Sequence, residues 1–228
     1  MTSTTVLLIG ASRGLGHAIA AEYLDRGAQV VATVRGNGHT PLHELEQQPR
    51  LEIEHVDITE PAQVDALRER LSGRRFDLLF VNAGVTNGER ETVADVSTEE
   101  FTRLMITNAL SPMRVIETLG DLVEPEGTIA IMSSGQGSIA NNQRGGFEIY
   151  RASKSALNQL MRSYAARHAD DPRTLLLMAP GWVKTDLGGP GAQLTIGESI
   201  PNLVSTVDAQ RGQPGLQYLD YLGRTVAW

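Results

Sequence analysis

Apolar positions along this chain fall into two alternating patterns. Short runs rich in β-branched and leucine residues occur at residues 6–9, 29–34, 51–56, 78–81, 127–132 and 175–179. The run at 29–34 is unbroken rather than alternating, as expected of a strand covered on both faces. Between them lie longer stretches whose apolar residues recur every three or four positions. One covers residues 14–26. In ITEPAQVDALRERL, Thr59 reads as a cap and Pro61 as the opening of a helix. STEEFTRLMITNALSPMRVIETL starts at Ser97 or Thr98 with acids in its first turn. The stretch containing EIYRASKSAL runs to about His168. This alternation predicts an α/β fold, a doubly wound parallel sheet of about seven strands with helices on both faces and right-handed crossovers. The loops richest in glycine and proline, DLGGPG and RGQPG, are too short for domain linkers, so residues 1–228 read as one domain.

Composition narrows the function. The chain has 228 residues, 41% hydrophobic and 21% charged, as in an ordinary water-soluble globular protein. No apolar run approaches the roughly 18 residues that span a bilayer. The opening MTSTTVLLIGASRG lacks the basic start of a secretory signal, so a cytoplasmic location is expected. With no cysteine there are no disulfides, thiolate nucleophiles or Cys-based metal sites. The formal charge of −7 and the absence of a basic block argue against nucleic acid as a partner. The i, i+4 pair His39 and His43 lies in a loop-like stretch and reads as surface rather than metal site.

GASRGLG, residues 10–16, joins the first strand to the first helix. Gly10 permits a sharp turn, Gly14 lets backbone approach a pyrophosphate, and Gly16 lets helix and strand pack closely. The helix N-terminus adds free N–H groups and partial positive charge. This is a dinucleotide site in a Rossmann-type context. A site for NAD usually carries an acid at the end of the second strand, but here the chain reads VVATVRGNG, with Arg35 and no acid. Together with Arg13 in the loop, it favours NADP(H), because guanidinium matches phosphate.

Tyr150 and Lys154 stand one helical turn apart on one face. Alone, such a pair is as well explained by an amphipathic helix surface. An ammonium near a phenol, whose ordinary pKa is about 10, would together with an oxidised nicotinamide ring favour the phenolate and bring proton exchange toward neutral pH. That is the expectation for this pair.

Taken in order, these elements resemble the short-chain dehydrogenase/reductase family over nearly the whole chain. The glycine loop is similar to TGxxxGxG, YRASK to YxxxK, PGWVKT to PG-x-x-x-T and Asn82-Ala83-Gly84 to the end of NNAG. Asn108 falls at the family's helix asparagine, and Ser133-Ser134 ends a strand ahead of the tyrosine. SSGQGSIA, APGWVKTDLGGPGAQLT and YLGRTVAW resemble the Sniffer and C-factor-type branch, which is associated with carbonyl reduction and, for C-factor, developmental signalling. Ile9 replaces the usual threonine of the glycine motif and Val81 the first asparagine of NNAG. The segment from Ser134 to Tyr150 is a few residues longer than common. Ser134 aligns better as the catalytic serine, while Ser133 would point to the other face.

The resemblance implies an NADPH-dependent carbonyl reductase with Asn108, Ser134, Tyr150 and Lys154 as its catalytic set. Tyr150 would give a proton to the carbonyl oxygen, Ser134 would hydrogen-bond that oxygen, and Asn108 would position Lys154 through a water-linked path. Lys154 would hold the nicotinamide ribose. Cofactor contacts would come from Gly10, Ser12, Arg13, Gly14, Leu15, Gly16, Arg35, Ile58 and Ala83, with Asp57 on the adenine and Asn82 and Gly84 on its ribose. The lesser alternative for Asp57 is a cap for the following helix. Pro180, Gly181, Val183 and Thr185 would hold the nicotinamide end. Gln136, Phe147, Trp182 and Leu187 are candidate substrate contacts for an aromatic or apolar carbonyl or alcohol, or else packing residues. Gly188, Gly189 and Gly191 flank a possible short lid. No metal is expected. A homodimer is expected, a tetramer being the larger alternative. Two other functions stay open: a dinucleotide-binding sensor of C-factor type, and an NAD-dependent alcohol dehydrogenase.

Overall fold

In the computed structural model, which describes residues 4–88 and 91–228, the strands are β1 (Thr5–Ile9), β2 (Gln29–Val34), β3 (Leu51–His55), β4 (Phe76–Val81), β5 (Val123–Met132), β6 (Thr174–Ala179) and β7 (Gly215–Asp220). They form one seven-stranded sheet in the order β3-β2-β1-β4-β5-β6-β7, every pair parallel. The helices are α1 (Gly14–Asp25), α2 (Pro61–Arg70), α3 (Thr98–Met105), α4 (Ser111–Leu119), α5 (Glu148–Arg167) and α6 (Ile196–Ala209).

Both sets of alternating strand side chains are apolar, which is why the sheet is buried on both sides. Leu7, Ile9, Leu79, Val81, Ile129, Ile131 and Leu177 pack with residues of α2, α4 and α5. Val6, Leu8, Leu78, Phe80, Ala130, Leu176 and Met178 pack with α1 and α6 on the other face. A one-residue slip of any strand would exchange the two sets. The chain first builds β1, β2 and β3 outward, then returns to place β4 on the far side of β1. That reversal opens a crevice at the carboxyl ends of β1 and β4, where ligands bind in such sheets.

Three local outcomes differ from the pattern reading. Strand β7 lies where the pattern gives no clear signal. GLQYLD starts at the glycine of a loop-like stretch and carries Gln217 and Asp220, as an edge strand beside β6 can. Thr59 does not cap α2, whose first residue is Pro61 and whose flanking Glu60 makes no side-chain cap. Instead the amide and hydroxyl of Thr59 donate to Asp57 Oδ1 at 2.9 and 2.7 Å, closing the turn before the helix. The stretch after Ser97, which does cap α3 by accepting from Glu100 N at 3.1 Å, is not one α-helix. Residues Ile106–Leu110 form a π-helical turn in which Ser111 N donates to Ile106 O. Pro112 supplies a cause: it has no N–H to return to the carbonyl of Asn108, four residues earlier. Among the described residues, no helix is long and apolar enough to cross a membrane.

Candidate active site

The crevice is built first by the glycine loop between β1 and α1. Gly10 has φ of +88°, and a Cβ there would lie 2.8 Å from Ala83 N, so the loop after β1 rests directly on the loop after β4. Gly16 is tighter still, since its Cβ would fall 2.1 Å from Gly10 O. Gly10 N donates to Thr33 Oγ1 at 2.9 Å and Ala11 N to Thr33 O at 2.8 Å, tying the loop to β2. Asn82 Nδ2 donates to Gly10 O at 2.8 Å, so this side chain braces the loop from β4.

Arg13 precedes α1 in extended conformation, with no side-chain cap and no acid in the first helical turn. The helix's first N–H groups therefore meet no protein anion. A Cβ on Gly14 would find only the Thr185 methyl, at 3.9 Å. A backbone cradle of this kind, with a positive helix end, fits a pyrophosphate. Ser12 is half-buried beside it, and Leu15 is partly buried against the core on the α1 side of the sheet. Arg35 is exposed just beyond β2, with no side-chain bond to the described residues. Arg13 reaches Asp186 at 3.9 Å across the mouth, an open pair of little intrinsic strength. Asp57 Oδ1 is engaged by Thr59, and Ile58 is buried.

At the end of β5 the second half of the site comes together. Ser134 caps a short helical turn, Gly135–Gly137, by accepting from Gln136 N at 3.1 Å. Tyr150 lies near it, in the first turn of α5, close enough for the serine hydroxyl to temper the phenol's acidity. Ser133 faces elsewhere, donating to Asn158 Oδ1 at 2.6 Å. Lys154, 3% exposed, donates from Nζ to Met132 O at 2.9 Å. The expected lowering of the phenol invokes an oxidised nicotinamide ring together with the lysine; in the protein alone the shift runs the other way. Burial pushes Tyr150 up to about 12, against the tempering Ser134 hydroxyl, with the Tyr218 hydroxyl adding to the rise. The ammonium lies 5.9 Å from the Tyr150 ring centroid and is engaged with a carbonyl, and burial lowers it to about 8.

Asn108, fully buried, uses its whole side chain: Oδ1 accepts from Val85 N at 2.8 Å, and Nδ2 donates to Val85 O at 2.8 Å and Ser153 Oγ at 2.9 Å. Its main-chain carbonyl is the group that Pro112 leaves without an α-helical donor. A Cβ on Gly84 would lie 3.4 Å from Asn108 Oδ1 and 3.5 Å from Lys154 Nζ, so asparagine and lysine flank the same glycine.

The segment after β6 is braced rather than loose. Lys184 N donates to Leu194 O at 2.8 Å and Leu194 N to Trp182 O at 3.0 Å. The Trp182 indole donates to Gly188 O at 2.7 Å, and Thr185 Oγ1 accepts from Gly188 N at 3.1 Å. A Cβ on Gly188 would sit 2.0 Å from Val183 O, so close packing, not hinge motion, requires that glycine. Pro180 O accepts from Ser199 Oγ at 2.6 Å, and Gly181 takes φ of +81°. Val183 is buried, whereas Trp182 and Leu187 are half exposed.

Of the candidate substrate residues, Phe147 packs beside Tyr150 with Ile149 and Leu104, in a left-handed conformation (φ 49°) unusual for a bulky residue. Gln136 instead lines a cleft of about 330 Å³ with Ile139, Glu148 and Arg151 beside α5. His43 Nδ1 bonds the Thr40 amide at 3.0 Å and closes a short turn, and its ring stacks on His39 at 5.1 Å. Pattern reading does not reach Thr33, Ser153 or Pro112. Only Pro112 carried a signal, a proline inside an otherwise helical stretch.

Comparisons with known proteins agree with this arrangement. The family model for short chain dehydrogenases matches residues 4–193. A Burkholderia multivorans protein of short-chain dehydrogenase/reductase type, solved with bound NADP, is 61% identical with a TM-score of 0.98, each chain covered completely. A Pseudomonas aeruginosa carbonyl reductase in complex with NADP is 36% identical, TM-score 0.92, again over 100% of both chains. The C-signal protein of Myxococcus xanthus is 34% identical over 67% of this chain and 92% of its own.

Proposed function

From the premise that the chain belongs to the short-chain dehydrogenase/reductase family, we propose that it is an NADPH-dependent carbonyl reductase acting on small aldehydes, ketones or quinones. The observation that carries this reading is the gathering of buried Tyr150, Lys154 and Asn108 at the end of the crevice, the lysine 5.9 Å from the tyrosine ring centroid and both lysine and asparagine against Gly84. A reductase needs a proton donor at the carbonyl oxygen; burial keeps the Tyr150 phenol protonated, and lowering its pKa toward the working range would fall to the bound oxidised nicotinamide together with Lys154.

When bound, the dinucleotide supplies hydride to the carbonyl carbon. The glycine loop and the start of α1 hold its pyrophosphate, and Arg13 and Arg35 receive the 2′-phosphate. The NADP found in the Burkholderia and Pseudomonas structures supports that choice, as does the missing acid after β2. Tyr150 would pass its hydroxyl proton to the carbonyl oxygen, so that with hydride on carbon the C=O group becomes CH–OH, and the tyrosinate left behind would regain a proton from solvent. Ser134 donates to that oxygen as negative charge grows on it. Lys154, anchored on Met132 O, stands beside Gly84 to meet the ribose, and the freed Asn108 carbonyl offers a water site toward it. Phe147, Trp182 and Leu187 form the apolar side for substrate. The reading extends to a cytoplasmic homodimer, supported by Phe101, Leu110 and Leu160, apolar residues exposed along the helices that follow β4 and β5.

The test is loss of NADPH absorbance with a panel of aldehydes, ketones and quinones. Tyr150→Phe should lower turnover by about 10³-fold and leave NADPH affinity nearly unchanged. Near-normal turnover in that variant removes Tyr150 as the acid. Likeness to C-signal favours one other reading, a dinucleotide-binding signalling protein, which silence of the wild type across the panel with NADPH still bound would support.

A further inference from the structure

Strand β7 lies beyond the residues that the family model matches, yet one of its side chains ends inside the site. Tyr218 is 1% exposed, and its hydroxyl donates to the main-chain oxygen of Ser134. The Ser133 and Asn158 side chains lie close to the same hydroxyl and temper the rise that burial gives its pKa. Asn158 Oδ1 accepts from Ser133 Oγ at 2.6 Å, while its Nδ2 donates to Gly137 O at 3.2 Å. Ser155 Oγ donates to the same Gly137 oxygen at 3.0 Å. A Cβ on Gly137 would lie 2.8 Å from Asn158 Nδ2 and 3.1 Å from the Lys154 carbonyl carbon, so the turn sits flush against α5. The ring of Tyr218 is backed by Trp228, centroids 5.5 Å apart, and Arg162 stands 4.6 Å over the Trp228 ring. Trp228 O accepts from Ala140 N at 3.0 Å, closing the circuit back to the residues after the serine turn.

We propose that Tyr218 is a positioning residue for the reaction: its hydroxyl clamps the Ser133–Ser134 turn between β7 and α5, setting the distance from Ser134 Oγ to Tyr150. This rests on the reading in which Ser134 and Tyr150 act on one carbonyl oxygen. The serine oxygen must stand within a few tenths of an ångström of its working place to serve both the phenol and the substrate. Ser134 stands two residues beyond the end of β5 and caps a three-residue turn. Such a turn holds position poorly by itself, whereas a buried phenol bonded to its carbonyl fixes the peptide plane from below.

The experiment uses Tyr218→Phe, which removes one oxygen and keeps the ring against Trp228. Amide hydrogen exchange of the NADPH-bound protein reads the clamp without reference to turnover. The Gln136 and Gly137 amides, bonded to Ser134 Oγ and Ser134 O, should exchange about tenfold faster in the variant, with β6 amides unchanged. In parallel, kcat on the best carbonyl substrate should fall about tenfold in Tyr218→Phe, with NADPH affinity unmoved, and fall no further when Tyr218→Phe is added to Ser134→Ala. Unchanged exchange at 136 and 137, or kcat losses that multiply in the double variant, overturns the proposal. If Ser134→Ala alone leaves turnover intact while exchange still responds, the clamp stands and the assigned role of the serine fails.

Discussion

At the ends of β1 and β4 the chain is held by the absence of side chains, whereas at the end of β5 it is held by side chains that arrive from far along the sequence. Gly10 rests on Ala83 and Gly16 on Gly10 with no space for a methyl group. The Ser134 turn, by contrast, is bonded through Asn158, Ser155 and Tyr218, residues of α5 and β7. The first region is defined by what cannot be added. The second is defined by what cannot be removed. Binding a pyrophosphate asks for bare backbone and a helix end, while moving one proton asks for a few oxygens at fixed places.

The largest effect should come from adding one carbon to the first region. Gly16→Ala places a Cβ 2.1 Å from Gly10 O, and α1 must shift to relieve it. A stability loss on the order of 3 kcal/mol is expected, together with loss of measurable NADPH binding. Thermal unfolding and a fluorescence titration check both, and a variant that binds normally would show that the crevice is looser than its contacts. The next effect is electrostatic. Arg35→Asp should weaken NADPH by about thirtyfold, roughly 2 kcal/mol, and NADH far less. Equal loss for both cofactors would remove Arg35 from the 2′-phosphate.

The smallest effect probes the second region through pH. Lys154 has its ammonium lowered to about 8 from 10.5, and Tyr150 has its phenol raised to about 12 from 10.0. Between pH 8 and 10 the unfolded chain keeps a lysine proton that the folded chain has released, so this pair makes stability rise with pH. Above pH 10 the unfolded chain loses a tyrosine proton that the folded chain retains, and that contribution is lost as pH passes through 12. Denaturant unfolding from pH 7 to 10 should therefore show a rising contribution in the wild type that Lys154→Met lacks. Parallel curves would mean that the lysine is not desolvated.

Much of the cofactor half was legible because its determinants are contiguous: three glycines in seven residues, flanked by a strand and a helix, with an arginine where an acid would signal NAD. The catalytic half was legible only where a family pattern preserved spacing. Tyr150 and Lys154 alone describe an ordinary helix face, and how deeply each group is buried cannot be read from their spacing. Thr33 and Ser153 look like filler in a strand and a helix, and become supports only once β2 and α5 are folded against the site. Tyr218 sits in an edge strand with no clean apolar pattern, and its partner is 84 residues earlier in the chain. The glycine at 188 shows the opposite error. It invites a hinge reading because flexibility is visible in composition, whereas a carbonyl 2.0 Å from its would-be side chain is not.

All seven strands run in one direction, which sorts the surface into two ends of unlike tolerance. The crevice, the serine turn and the braced loop after β6 share the rim where strands finish. The connections at residues 26–28, 71–75 and 168–173 share the opposite rim, a strand length of about 20 Å away. A dye, a surface tether or a fused domain attached there stands at the blind end of the sheet, so the molecule offers a handle that leaves its working end facing solution.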